Sequence, residues 1–165
     1  MRNLFTQPKY TIDTSSLLAL MNRGEKYDKE VFAKLWKDVC SLCEAGKVIS
    51  HIEVKKEIKE GGVKDQLEWV KSHKNIFQKY NLPGEEAVIR DIGSKGGHFV
   101  TFLQQDKGKS THADPWLVAQ AKVESLILIT EEAANSPKKI PQVCVALGVK
   151  SINILGLIQA EGWSY

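Results

Sequence analysis

The order of apolar and polar positions along the chain predicts strands alternating with helices. Tyr10-Thr11-Ile12 is a short β-prone stretch running into Asp13, and Thr14-Ser15-Ser16 supplies capping residues before the apolar helical stripe of Leu17, Leu18 and Leu20. Across residues 27–45 the apolar positions Val31, Leu35, Trp36, Val39, Leu42 and Cys43 recur at helical spacing, and Gly46 supplies a stop. Lys47-Val48-Ile49-Ser50 predicts a second strand, followed by a charged helix from about residue 51 to residue 60 that ends at Gly61-Gly62. Residues 63–105 read as helical, with interruptions at Asn81-Leu82-Pro83-Gly84 and Gly96-Gly97.

After a polar loop at residues 106–111, Asp114-Pro115 predicts a helix start with the acid as N-cap and proline at the first helical position, running to about residue 123. Leu126-Ile127-Leu128-Ile129 is a continuous apolar run of strand length, the pattern of a parallel strand covered on both faces. A short helix at residues 141–147 ended by Gly148, a fourth strand at Ser151-Ile152-Asn153-Ile154 and a last helix near residues 155–160 complete the pattern. Such alternation predicts an α/β fold with a parallel sheet of about four strands and helices on both faces.

Composition narrows the class. A length of 165 residues suits one domain spanning 1–165, and 42% hydrophobic with 26% charged residues favours an ordinary globular chain over a disordered or fibrous one. The net charge of +3 permits contact with a polyanion without arguing for one. The amino terminus lacks the apolar core of a secretory signal, and no run approaches the ~18 apolar residues of a membrane span, so no membrane contact and a cytoplasmic location are expected. Cys40, Cys43 and Cys144 form an odd set without secreted context, expected as reduced thiols. Cys40-x-x-Cys43 falls mid-helix with no second pair, which favours core packing over zinc or redox chemistry.

Ligands of open parallel sheets bind beyond the carboxyl ends of the strands. Asp13 closes the first strand, Glu131 and Glu132 follow the third, Glu53 and Glu57 lie on the helix leaving the second, and Asp114 heads the helix that feeds the third. Carboxylates ~5 Å apart repel by roughly 3 kcal/mol per pair at an effective dielectric near 20, so converging acids call for a cation. Oxygen-only donors suit Mg²⁺ or Mn²⁺ rather than zinc, which points to metal-assisted hydrolysis of a phosphodiester.

Four stretches, Ile12-Asp13-Thr14-Ser15-Ser16-Leu17, Glu53-Val54-Lys55-Lys56-Glu57-Ile58, Ala113-Asp114-Pro115-Trp116-Leu117 and Leu128-Ile129-Thr130-Glu131-Glu132, resemble in order the four acidic motifs of PIN-domain nucleases. The chain is similar to an uncharacterised PIN-like branch related to the VapC-type toxin ribonucleases of toxin–antitoxin pairs. The resemblance implies a three-layer α/β/α PIN-like fold, Mg²⁺ or Mn²⁺ at the acids, an RNA substrate, an antitoxin protein partner and a homodimer. It implies that Asp13, Glu57, Asp114 and Glu132 form the catalytic and metal-binding set, supported by Ser15, Glu53, Thr130 and Glu131. The family's fourth motif, Thr then any residue then Asp, reads Thr130-Glu131-Glu132 here.

Lys55, Lys56 and Lys59 beside the acids, with Lys107, Lys109, Lys138 and Lys139 on loops, are candidates for holding the RNA backbone. His51 and His112 lie near the acids and are read as surface or capping residues. Gly108-Lys109-Ser110 imitates the end of a phosphate loop, but the earlier glycine would fall at Leu103. A phosphatase using Asp13 as phosphate acceptor would carry a second Asp where Ser15 stands. The remaining alternative is a catalytically inactive PIN-like module that binds RNA or protein.

Overall fold

The structure is a computed structural model that describes residues 6–104 and 108–165. Lys107 and the start of the polar loop read above lie outside the described residues, as does the extreme amino terminus.

Strand β1 (Tyr10–Ile12) is buried at every position and leads through Asp13 into α1 (Thr14–Met21). Helix α2 (Ala33–Glu44) precedes β2 (Val48–His51), which passes directly into α3 (Ile52–Gly61). Helix α4 (Lys64–Ser72), a 3₁₀ turn (Lys74–Ile76), β3 (Phe77–Gln78), α5 (Gly84–Ser94) and α6 (His98–Leu103) follow. The last third contains α7 (Asp114–Glu124), β4 (Ile127–Ile129), α8 (Ile140–Leu147), β5 (Ser151–Ile152) and α9 (Ile154–Glu161).

Among the described residues five strands form one sheet in the order β3-β2-β1-β4-β5, and every pairing is parallel. The chain builds outward from β1 in one direction through β2 and β3, then returns to the other side of β1 for β4 and β5. The winding therefore reverses between β1 and β4, where a crevice opens at the strands' carboxyl ends. Asp13 leaves β1 and Thr130 leaves β4 at that crevice, and Asp13 N donates to Ile129 O at 3.0 Å.

Helix α7 lies over β1, β2 and β4 and is covered in turn by α5, α6 and α8. It is joined to the sheet by more than apolar packing. Buried Thr11 donates through Oγ1 to Gln120 Oε1 at 2.6 Å, Gln120 Nε2 donates to Ser50 O at 3.2 Å, and Ser50 Oγ donates to Ile12 O at 2.6 Å. This network fixes the register of α7, and hence of Asp114 at its start, against β1 and β2.

Three expectations are corrected. The sheet has five strands rather than about four, because β3 lies inside the stretch read as helical. Two residues are too few for an alternation to show, and β3 is held by the edge of β2 rather than by its own pattern. The helix expected from residue 27 starts at Ala33; Asp28 instead closes a turn by accepting from Gly24 N and Glu30 N. Helix α7 has Ala113 at its N-cap, so Asp114 is its first helical residue and no cap. The stops expected at Gly46 and Gly148 are realised with φ of +76° and +68°.

Cys43 and Cys144 are buried, Cys40 is half-buried, and all three are free thiols. Trp69 Nε1 donates to Cys40 Sγ at 3.4 Å, and burial pushes the Cys144 thiol up to about 12, so it stays protonated. Among the described residues no helix is long and apolar enough to cross a membrane.

His51 is fully buried and caps α3: its Nδ1 accepts from Glu53 N at 3.1 Å. Nδ1 is therefore the unprotonated nitrogen, and Nε2–H donates to Glu85 Oε2 at 3.1 Å. Glu85→Ala strands that N–H in the interior, and a loss of about 1–3 kcal/mol in urea unfolding is expected. An unchanged midpoint would contradict the pairing.

Candidate functional site

Four acids line one cleft of about 450 Å³ at the crevice between β1 and β4: Asp13, Glu57, Asp114 and Glu132. Thr14, Ser15, Lys109, Thr111, His112, Lys138 and Lys139 share its walls.

Asp13 is 1% exposed and its carboxylate is held at both oxygens. Oδ1 accepts from Ser16 N at 2.8 Å, which caps α1, and Oδ2 accepts from Ser15 Oγ at 2.7 Å and Thr130 Oγ1 at 2.6 Å. Those hydroxyls are themselves oriented, since Ser15 Oγ accepts from Glu131 N at 3.2 Å and Thr130 Oγ1 from Glu132 N at 3.1 Å. Each hydroxyl must then spend its single proton on Asp13. Burial nevertheless raises the Asp13 carboxyl to about 6, against the lowering effect of those hydrogen bonds.

Glu57 bridges two elements, its Oε2 accepting from Thr14 Oγ1 at 2.5 Å and its Oε1 from Ala113 N at 2.9 Å, an N–H at the start of α7. Glu132 Oε2 accepts from Ile140 N at 2.9 Å, the first N–H of α8, and Lys139 approaches Oε1 at 3.5 Å. Asp114 differs from the other three in having no hydrogen-bond partner among the described residues. Burial, then the charges of Glu132, Asp13 and Glu57, push its carboxyl up to about 8.

Two of the other residues singled out in the sequence turn away from this cleft. Glu131 Oε1 accepts from Ile154 N at 2.7 Å, securing the start of α9, and its Oε2 meets Lys26 at 3.3 Å. Glu53 shares a helix face with Glu57 but its Oε1 is taken by Lys56 at 2.6 Å and by the Tyr80 hydroxyl. Neither residue lines the acidic cleft, nor do Lys55 and Lys56, whereas Lys109 does. Lys138 and Lys139, read in the sequence as backbone-holding candidates, line the cleft, and so does Thr14, which only its place directly after Asp13 could have marked.

The donor chemistry, four carboxylates and no thiol or imidazole pair, fits a hard divalent cation. Among the described residues no group of three or more such side chains is placed so as to surround an ion, and Glu57 and Glu132 each accept from an N–H at a helix start. Mg²⁺ typically retains several waters and takes only one or two carboxylates directly, which this arrangement accommodates.

Residues 10–165 match the family described as "Domain of unknown function (DUF4411)". The chain belongs to that family. No curated protein matches this DUF4411 member. Its fold is similar to the crystal structure of FitAcB from Neisseria gonorrhoeae, with a TM-score of 0.54, 16% identity and coverage of 88% of this chain and 98% of that chain. The crystal structure of PAE2754 from Pyrobaculum aerophilum aligns at 17% identity and a TM-score of 0.47 over 93% of this chain and 96% of that chain. The DUF4411 chain thus has a PIN-like α/β/α fold, three layers with a parallel sheet at the centre.

The raised acids set a pH dependence for the metal-free protein. An acid whose folded pKa lies above its unfolded value binds more protons when folded, so its contribution is best at low pH and is lost as pH rises. The windows run from the ordinary 3.8 to about 6 for Asp13 and to about 8 for Asp114. In the presence of chelator, the melting temperature is expected to fall between pH 6 and 8. A rise over that interval in calorimetry would contradict the assignment.

Proposed function

We propose that this DUF4411 chain is a single PIN-like domain acting as a metal-dependent endoribonuclease, the toxin of a toxin–antitoxin pair. The observation that carries the reading is Asp114: a carboxylate with no hydrogen-bond partner among the described residues, pushed up to about 8 among three other acids at the sheet's switch point. Such repulsion serves no purpose in a folded protein unless a cation is taken up there.

Asp13 and Asp114 would hold Mg²⁺ or Mn²⁺, with Glu57 and Glu132 reaching it through water. Bound there, the ion would lower the pKa of a water and offset charge on the phosphate. Ser15 and Thr130 keep Asp13 fixed and unable to rotate away. Glu57 ties α1 to the start of α7, so the two aspartates keep their separation as substrate enters. Lys109, Lys138 and Lys139 surround the mouth and offer phosphate contacts. The resemblance to toxin ribonucleases supports an antitoxin partner, a homodimer and a cytoplasmic place of action.

Incubating the protein with mixed RNA and Mg²⁺ or Mn²⁺ is expected to give cleavage that stops on chelation. RNA binding without cleavage, unaffected by chelator, would replace the nuclease with the inactive binding module.

A further inference from the structure

A second cleft of about 300 Å³ lies on the other side of the α7 start, lined by Glu53, Ile89, Leu103, Ser110, Pro115 and Trp116, with His112 shared between the two clefts. We propose that it receives an unpaired purine base bearing an exocyclic amino group, from the nucleotide next to the scissile phosphate. The inference rests on the ribonuclease reading and names the part of the substrate that fixes where the cut falls.

Four observations converge. Trp116 is only partly buried and presents a ring to the cleft, and its opposite support is rigid: it stacks on buried His51 at 5.7 Å and meets Tyr80 edge-on at 4.7 Å. A braced indole with apolar Ile89, Leu103 and Pro115 around it is a stacking platform of the kind that holds unpaired bases.

The second observation is Glu53, whose side chain is 9% exposed. Oε1 is saturated by Lys56 and Tyr80, while Oε2 has no partner among the described residues. Burial raises the Glu53 carboxyl, but the hydrogen bonds from Lys56 and Tyr80 outweigh it and hold the group below the usual range, so this cleft-lining residue keeps Oε2 as an acceptor. An amino group donates to it; a carbonyl at the same ring position would be repelled.

Third, the two clefts adjoin. Asp114 and Trp116 are two residues apart in the first turn of α7, so their side chains leave opposite sides of the helix start, and His112 lines both clefts; a strand crossing that start sets a phosphate at the acids and a neighbouring base on the indole. Fourth, the intervening wall is anchored: Glu60 accepts from Ser110 N at 3.1 Å and Thr111 Oγ1 at 2.9 Å, and His112 Nε2–H donates to Phe102 O at 2.7 Å.

The test uses free nucleotides, so it does not depend on cleavage. AMP, GMP and IMP are titrated into the full-length protein while the side-chain indole resonances are followed by NMR. IMP differs from GMP only in lacking the 2-amino group and carries a carbonyl where AMP carries its amino group. The expected result is that the Trp116 resonance shifts while those of Trp36, Trp69 and Trp163 do not. At least one of AMP and GMP should bind fivefold or more tightly than IMP, and Glu53→Gln should erase that gap.

Trp116→Phe, which keeps an aromatic face against His51, should retain the gap with weaker binding and thereby report that the fold is intact. No Trp116 shift with any nucleotide, equal binding of all three, or a gap that survives in Glu53→Gln would overturn the inference. Selective nucleotide binding by a protein that cuts no RNA would overturn the ribonuclease reading alone.

Discussion

Replacing Asp114 by asparagine is expected to have opposite effects on activity and on stability. Cleavage of RNA in Mg²⁺ should fall by about 10²-fold or more, since one of the two carboxylates proposed to hold the ion is lost. Unfolding in chelator at pH 8 should become harder, by about 1–3 kcal/mol. Asparagine removes a group that burial and three acidic neighbours hold far above its ordinary pKa. The figure stays well below the full linkage value because the residue is only partly buried and water screens part of the repulsion. Paired cleavage assays and urea titrations measure both effects, and a destabilised variant would show that Asp114 is structural.

Asp13 should behave in the other direction. Its carboxylate caps α1 and receives two hydroxyls that have no other acceptor among the described residues, so Asp13→Ala leaves Ser16 N, Ser15 Oγ and Thr130 Oγ1 without their shared partner. A loss of about 2–4 kcal/mol is expected, combining a cap with buried unsatisfied donors. Asp13→Asn keeps the cap through its carbonyl but sets an NH₂ against hydroxyls whose protons already point at it. An intermediate loss of about 1–2 kcal/mol follows, with cleavage falling as far as in Asp13→Ala. Urea denaturation separates the two variants, and equal stability of Asp13→Ala and wild type would refute the capping geometry.

The contrast between these aspartates explains what was legible in the sequence. A β-prone triplet followed by Asp and then by Thr and Ser encodes strand, cap and helix within a few residues, so β1, Asp13 and α1 could be read locally. The run Leu126-Ile127-Leu128-Ile129 likewise encodes a buried central strand, realised as β4 between β1 and β5. Helix α7 was legible from Asp114-Pro115, though the cap assigned to Asp114 belongs to Ala113, and the acid is left free for the cleft.

What could not be read depends on partners distant in the chain. Glu53 and Glu57 lie one helical turn apart on α3 and look equivalent in the sequence. Tyr80 and Lys56 capture one, while Thr14 and Ala113 capture the other. Glu131 and Glu132 are adjacent, so they point to opposite sides and meet different helix starts, α9 and α8. A longer side chain than aspartate lets Glu132 reach Ile140 N while still lining the cleft, which gives the departure in the fourth motif a physical role. Strand β3 and the Thr11–Gln120–Ser50 network leave no periodic signature because each residue is fixed by a neighbour on another element.

RNA cleavage by the wild-type chain is compared with that by an Asp13→Asn, Asp114→Asn double variant, both purified identically and assayed in Mg²⁺, Mn²⁺ and chelator. Cleavage that requires the metal and is absent from the double variant is the predicted result. Equal cleavage by both proteins, or none by the wild type with either metal, would contradict the assignment of a metal-dependent ribonuclease to this acidic cleft.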